Sequence, residues 1–331
     1  MNGAWETLKY RDFQYLPCAT NVRETDDGYV TDSALTVRGL VTHSGERLVQ
    51  KLVRRPDGLA NPELYDLLDR EIRAGARLLR RFPGDAYPAE LSKLVGYDID
   101  GEEPFVLLEH YLGEPVAARA GRLLTNDQHS FEVGLFRALR YLEAAKLVHG
   151  GLSPDSIRWE DGRTQVAGFE QAVLVGEPRV RGASRWCSPE QRDGKGGSAA
   201  RDDVWSAGAI VLEVVTGQQT GTPPDPGRSG PALAALLAGI FDPGENRPSA
   251  SDVLHRLTAS PVVPARQDDT ATRFSESRQR FDEVLTGKKD GSQRKPLSAT
   301  GGPRPGRLWF LLVSLVIAAA VVAGLVWRMI G

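Results

Sequence analysis

The chain has 331 residues, of which 41% are apolar and 25% are charged, a composition typical of a folded protein and not of a disordered or fibrous one. The 41 basic residues nearly balance the 43 acidic ones, so no overall positive charge favours nucleic acid as a partner. The two cysteines, Cys18 and Cys187, lie far apart and lack metal-binding spacing. This spacing argues against both a disulfide framework and a zinc site.

The first part of the chain has the pattern of a small antiparallel sheet with one helix. Residues 1–25 are polar, lack a signal-peptide-like apolar run, and are treated as a separate N-terminal segment. The runs ALTVRGLVTH, RLVQKLV and FVLLEHYL, separated by turn signals, predict strands. Between them, Leu64, Leu68, Ile72 and Leu79 share one face of a predicted helix that begins after Asn61.

Helical patterns dominate the second part of the chain. Residues 126–148 predict a long helix. The run DVWSAGAIVLEVVTG predicts another, with Asp203 as its N-cap and Gly217 just past its end, and PALAALLAGIF and SASDVLHRL predict two shorter ones. Residues 26–258 therefore read as one α+β domain in which a mostly β lobe precedes a mostly α lobe.

The end of the chain has the pattern of a membrane anchor. Residues 259–307 are rich in Pro, Gly, Ser and charge and predict a basic, disordered linker. From Leu308 to Trp327 no residue is charged, and a helix of about 20 residues spans about 30 Å. We therefore predict a transmembrane helix over 308–328 and a short tail over 329–331, as in a tail-anchored protein.

The charges beside this predicted helix set its orientation. Six basic residues and one acidic residue come shortly before it, and one basic residue, Arg328, follows it. The six are Lys288, Lys289, Arg294, Lys295, Arg304 and Arg307. The positive-inside rule then predicts a single-pass protein of the cell membrane whose folded domain is cytoplasmic.

A resemblance to the protein kinases rests on several motifs in the family's order. The stretch LVHGGLSPDSIRWEDGRTQVAGFEQA resembles the HRDLKPxN and DFG loops, with His149 and Phe169 at matching positions. GASRWCSPEQ resembles the GTxxYxAPE segment, and ENRPSASDVL resembles the closing RPS/T-A helix. The resemblance covers residues 30–258 and implies the two-lobed serine/threonine-type kinase fold. It also implies a buried ion pair between Glu190 and Arg247.

The resemblance also shows which catalytic groups are missing. The position of the catalytic base is Gly151, and that of the phosphate-steadying lysine is Ser153. The two magnesium positions are Ser156 and Gly168, and neither offers a carboxylate. Between Tyr29 and Ser44 the only glycine is Gly39, so we expect no glycine-rich phosphate loop.

Some residues of an ATP cleft remain. The resemblance assigns Lys51 to the VAIK lysine and Glu71 to its helix partner, with Glu109 and Tyr111 on the hinge strand. Two carboxylates, Asp155 and Glu170, lie one and two positions from the lost metal ligands and are candidate substitutes. The resemblance therefore leaves weak ATP binding open and argues against magnesium.

Three functions fit this pattern. The first, which we favour, is a membrane-anchored pseudokinase that acts as a signalling scaffold or regulator of an unnamed cytoplasmic protein. The second is an active serine/threonine kinase with non-standard catalytic residues. The third is a sensor that binds a nucleotide or another ligand without transferring phosphate.

Overall fold

The computed structural model describes residues 4–25, 32–182, 184–219, 221 and 224–264. All of them belong to one compact unit, Met1–Arg266. Of the predicted linker over 259–307, residues 265–307 lie outside the described residues, as do the predicted transmembrane helix over 308–328 and the tail over 329–331. Within the described part of the chain, no helix is both long and apolar enough to cross a bilayer.

A six-stranded antiparallel barrel forms the first lobe. Its strands follow the order β1-β2-β3-β4-β6-β5 around the barrel. They are β1 (Glu6–Arg11), β2 (Pro17–Glu24), β3 (Thr36–Thr42), β4 (Arg47–Leu52), β5 (Leu94–Asp98) and β6 (Phe105–Glu109). The barrel closes through a single pair, Arg11 with Tyr97.

The first two strands correct the predicted domain boundary. We expected residues 1–25 to be a separate segment, but β1 pairs with β2 along its full length, and β2 continues the sheet onto β3. Few side chains of these strands face the interior, so the apolar alternation is weak: Val22 is the one fully buried residue of β2. The loop that enters β3 lies before Thr36.

Helix α2 packs its apolar face on the barrel, as the periodicity predicts. The short helix α1 (Arg55–Ala60) precedes α2 (Glu63–Arg81). Leu64, Leu68 and Ile72 share one core cluster with the barrel residues Val49 and Leu108. This contact fixes the side of α2 that faces the sheet.

The second lobe is mostly helical. Its elements are β7 (Glu114–Pro115), α3 (Thr125–Ala144), β8 (Leu147–Val148), β9 (Ile157–Glu160), β10 (Arg163–Val166), β11 (Val173–Leu174), α4 (Pro189–Asp193), α5 (Ala200–Thr216), α6 (Pro231–Leu236) and α7 (Ala250–Arg256). Helix α5 is apolar on almost every side because α3, the loop before α4 and Ile240 all cover it. The α+β, two-lobed prediction agrees with this architecture.

The ends of α5 confirm one capping prediction and correct another. Gly217 has a left-handed φ of 70° just past the last turn, as predicted. The N-cap residue is Ala199, and not Asp203. Asp203 instead lies in the first turn, where its buried carboxylate accepts backbone N–H bonds from His149 at 2.7 Å and Gly150 at 3.0 Å. Asp203 does not cap the helix because its carboxylate binds the backbone of the loop at His149 and Gly150 instead.

Candidate functional site: a cleft between the two lobes

A cavity of about 330 Å³ opens where the barrel meets the helical lobe. Strand β4, the chain that leaves β6 and the loop between β8 and β9 all contribute to it. Its polar lining residues are Asp32, Ser33, Lys51, Tyr111, Asp155, Ser156, Arg158, Glu170, Gln171, Arg181 and Ser184. The structure thus gathers residues that lie more than 150 positions apart in sequence.

Lys51 is the central charge of this cleft. Its ammonium Nζ lies 3.0 Å from Oε2 of Glu71 on α2 and 2.8 Å from Oε1 of Glu170. The side chains of Lys51 and Glu71 are 1% and 0% exposed. Because water does not solvate either charge, each must be neutralised by the other. The predicted Lys51–Glu71 pair is present, and Glu170 adds a second carboxylate to it.

Burial and charge act in opposite directions on this cluster. Burial alone would lower the pKa of Lys51, but Glu71, Tyr111 and Glu170 outweigh it and raise the pKa well above its ordinary value. Burial raises the pKa of Glu71 even though Lys51 opposes that change. The cation is therefore permanently charged and already shared between two carboxylates.

The loop that enters β3 crosses the mouth of the cleft. Ser33 donates a hydrogen bond from its hydroxyl to Oε1 of Glu170, and its oxygen accepts the backbone N–H of Leu35 at 3.1 Å. Next to it, Asp32 accepts a hydrogen bond from the hydroxyl of Ser153 in the second lobe. The Asp32 carboxylate and the Ser33 hydroxyl of this loop thus line the same cavity as Lys51.

The two serines at kinase-like catalytic positions bond to each other. Ser156 Oγ accepts the backbone N–H of Ser153 at 3.0 Å and donates to the Ser153 carbonyl oxygen at 3.0 Å. Ser153 Oγ accepts the backbone N–H of Ser156 at 3.1 Å. These hydroxyls therefore close a local turn, which is the ordinary use of serine in loops.

Glycine at position 151 fits a close approach of another loop. A Cβ atom added there would lie 2.9 Å from Cγ of Gln171 and 3.0 Å from its Cβ. The neighbouring Gly150 has a φ of +73°, and a Cβ there would lie 2.7 Å from the backbone oxygen of Gln171. Gln171 therefore lies in the space that a larger side chain at either position would need.

At the hinge end of the cleft, Tyr111 and Arg158 lie together. Tyr111 is 5% exposed, packs in the first-lobe core and has its hydroxyl beside Lys51. The guanidinium of buried Arg158 lies 5.7 Å from the centre of the Tyr111 ring. It also donates to the carbonyl oxygens of Leu112 at 3.2 Å and Gly113 at 2.7 Å. A ring and a guanidinium thus line the cleft beside the chain that follows β6.

The other predicted cleft residues are separated. Glu109 lies outside the cavity and pairs with Lys93 on the surface at 2.7 Å. Asp155 lines the cavity, and burial and Asp32 raise the pKa of its carboxyl while Arg158 lowers it. Gly168 has a left-handed φ of 78°. Among the described residues, no group of three or more His, Cys, Asp or Glu side chains is placed to hold a metal ion.

Asp32, Ser33, Arg158 and Gln171 are the site residues that the sequence did not reveal. Arg158 had a visible signal, because it is a charged residue inside the short apolar run around Ile157 and Trp159. Asp32 and Ser33 had no such signal, because their partners, Ser153 and Glu170, lie 121 and 137 residues away in sequence.

The supporting contacts below the cleft agree with the motifs. His149 Nδ1 accepts the backbone N–H of Gly151 at 3.3 Å, and Nε2 then donates to the Ala167 carbonyl oxygen at 3.0 Å. Burial lowers the pKa of His149 to about 4, so the ring is neutral. It packs on Phe169 with ring centres 5.2 Å apart. These contacts join the two loops that form the floor of the cleft.

Comparisons with known proteins support a kinase-like protein. The chain is 24% identical over 261 residues to the probable serine/threonine-protein kinase PknB of Bifidobacterium longum. The aligned residues make up 75% of this chain and 36% of that protein. It is 25% identical over 288 residues to the serine/threonine-protein kinase AfsK of Streptomyces coelicolor, covering 78% of this chain and 34% of that protein. The chain thus spans about a third of these relatives' length. No family model matches it.

Proposed function

We propose that this chain is a membrane-anchored pseudokinase, a kinase-like domain that binds and organises a cytoplasmic protein without transferring phosphate. The observation that supports it most directly is the state of Lys51. In phosphoryl transfer, a lysine of this kind must be available to the nucleotide's phosphates. Here its ammonium is held between Glu71 and Glu170, with Ser33 bonded to the second carboxylate.

The remaining residues of the cleft do not fit magnesium and ATP. Three carboxylates, those of Asp32, Asp155 and Glu170, line the cavity and repel phosphate in the absence of a cation. Among the described residues, no group of three or more acidic, His or Cys side chains is placed to hold one. Gly151 has no side chain to accept a proton, and Gly168 has none to coordinate a metal. Tyr111 and Arg158 line the hinge end of the cavity. These residues support binding without phosphate transfer.

We expect no transfer of the γ-phosphate of ATP by the purified chain. The test is incorporation of radiolabelled phosphate into the chain and into a generic protein substrate, with and without magnesium. Incorporation that Asp155→Asn or Glu170→Gln abolishes would contradict the proposal and favour an active kinase with substitute carboxylates.

A thermal shift with ATP separates a scaffold from a sensor. A ligand at about 100 times its dissociation constant adds about 2.7 kcal/mol to the stability of the state that it binds, which raises the melting temperature by several degrees. We expect a rise below about 1 °C with ATP, with or without magnesium. A rise of several degrees without magnesium would favour ligand sensing instead.

Membrane anchoring is the second part of the proposal. Its support is the uncharged run from Leu308 to Trp327 and the six basic residues that precede it. We expect a chain that ends at Arg307 to be released from membranes. The measurement is the fraction of that chain that sediments with membranes before and after a high-salt wash. Retention of the shortened chain after the wash would contradict anchoring by this run.

A further inference from the structure

A basic face covers the outer side of α2 and the turn between α3 and β8. Its basic residues line two adjoining grooves of about 470 and 500 Å³. They are Arg70, Arg73, Arg77, Arg80, Arg81, Arg140 and Lys146. The side chain of Arg77 joins the two grooves, because its Nε donates to the carbonyl oxygen of Ala145, next to Lys146. We call this surface the arginine face.

Four carboxylates, those of Asp66, Asp69, Glu143 and Glu177, line the same grooves as the seven basic residues. Asp69 pairs with Arg73 at 2.8 Å, and Glu143 pairs with Arg140 at 3.1 Å. Within the part of the chain that the structure describes, the remaining basic residues of the face have no ion pair with a carboxylate. The face therefore keeps a net positive charge, although the chain as a whole has a net charge of −2.

Exposed apolar side chains adjoin this charge. Leu174 and Val175 are 37% and 43% exposed, and the backbone N–H of Val175 bonds to the carbonyl oxygen of Lys146. On the other groove, Val262 is 74% exposed. Basic residues interleaved with apolar ones are the composition of surfaces that lie at the headgroup level of an anionic membrane.

The folded domain ends on the same face. Arg81 donates from Nη1 and Nη2 to the carbonyl oxygen of Pro264, both at 3.2 Å. Residues 265–307 then separate Pro264 from the start of the proposed anchor at Leu308. The last described residue before the proposed anchor therefore lies on the arginine face.

We propose that the arginine face docks on the anionic headgroups of the membrane that anchors the chain. This inference rests on the proposed membrane anchor. The tether supplies a high local concentration of lipid, so a weak surface is sufficient to hold the domain. Docking would orient the cleft and the rest of the second lobe relative to the bilayer. The surface left for a protein partner is then the one that faces away from it.

The test places an environment-sensitive fluorophore on the full chain. Val262→Cys in a Cys18→Ser background carries the dye, because Val262 is exposed and Cys187 is buried. The chain is reconstituted in nanodiscs of phosphatidylcholine, with or without about a third of phosphatidylserine. We expect a blue shift and about a twofold rise in emission with phosphatidylserine, and its loss at about 0.5 M NaCl.

Two matched triple variants test the face itself. Arg70→Glu, Arg80→Glu and Lys146→Glu reverse three of its charges, and we expect them to abolish the rise. Lys9→Glu, Arg54→Glu and Arg122→Glu make the same change in charge outside the two grooves, and we expect them to preserve it.

The outcomes separate this inference from the anchor. A chain that fails to enter nanodiscs contradicts the anchor, and vesicles of the same two compositions, added to the labelled chain, then decide whether the face binds lipid. A chain that enters but emits equally in both lipids overturns the docking proposal. So does a response to an acidic peptide but not to lipid, which would assign the face to a protein partner.

Discussion

Replacing Arg247 by alanine is expected to destabilise the folded domain by about 3–5 kcal/mol. Its side chain is fully buried, and Nη2 lies 3.2 Å from both carboxylate oxygens of Glu190. Nη1 donates to the Arg201 carbonyl oxygen at 2.8 Å, and the guanidinium lies 5.0 Å from the centre of the Trp205 ring. Loss of this side chain leaves a cavity, an unpaired carboxylate and unsatisfied carbonyl oxygens at once.

Glu190→Ala is expected to cost about 3 kcal/mol, because it leaves the buried guanidinium without its main carboxylate. The cost is the smaller of the two because Asp202 Oδ1 still lies 3.9 Å from Arg247, and Glu190 is itself 27% exposed. The measurement is chemical denaturation of each variant. If a variant does not fold, Arg247→Lys, which keeps the charge but not the fork of donors, is expected to be intermediate.

The matched control for this pair lies on the surface. Arg163 pairs with Glu160 at 2.6 Å, but the two side chains are 65% and 44% exposed. Arg163→Ala should therefore cost less than about 1 kcal/mol. Equal stability of Arg247→Ala and Arg163→Ala would contradict a structural role for the buried pair.

Lys51→Met is expected to destabilise the domain by about 3–5 kcal/mol at pH 8 and by clearly less at pH 5. The ammonium of Lys51 compensates the carboxylates of Glu71 and Glu170. Without it, the pKa of buried Glu71, already raised by burial, rises further. A carboxyl whose pKa is raised by folding stabilises the folded state below its unfolded pKa and loses that stability as the pH rises. A difference of about one between the folded and unfolded pKa values corresponds to about 1.4 kcal/mol.

Two further variants isolate the charge effect. Lys51→Met combined with Glu71→Gln removes both buried charges and should recover part of the loss at pH 8. Lys93→Met breaks the exposed pair with Glu109 and should cost less than about 1 kcal/mol at either pH. A cost of Lys51→Met that is the same at pH 5 and pH 8 would mean that Glu71 does not depend on Lys51.

Local patterns were sufficient for most of the elements. The buried face of α2 follows from its apolar spacing, and Gly217 from the need for a left-handed residue after α5. The pairs Lys51–Glu71 and Glu190–Arg247 came from the motif resemblance, because those motifs lie in the family's order. Strands β1 and β2 were missed because half-buried strands with few apolar residues leave little period-2 signal.

The sequence by itself determined that positions 151 and 168 carry no functional side chain, because both are glycine whatever the fold does with them. The tertiary structure alone decided which side chains surround Lys51. Glu170, Ser33 and Asp32 meet around Lys51 and Ser153 only after the barrel and the helical lobe come together. The same holds for Arg158 against Tyr111. Contacts between residues more than 40 positions apart depend on packing, which local periodicity does not encode.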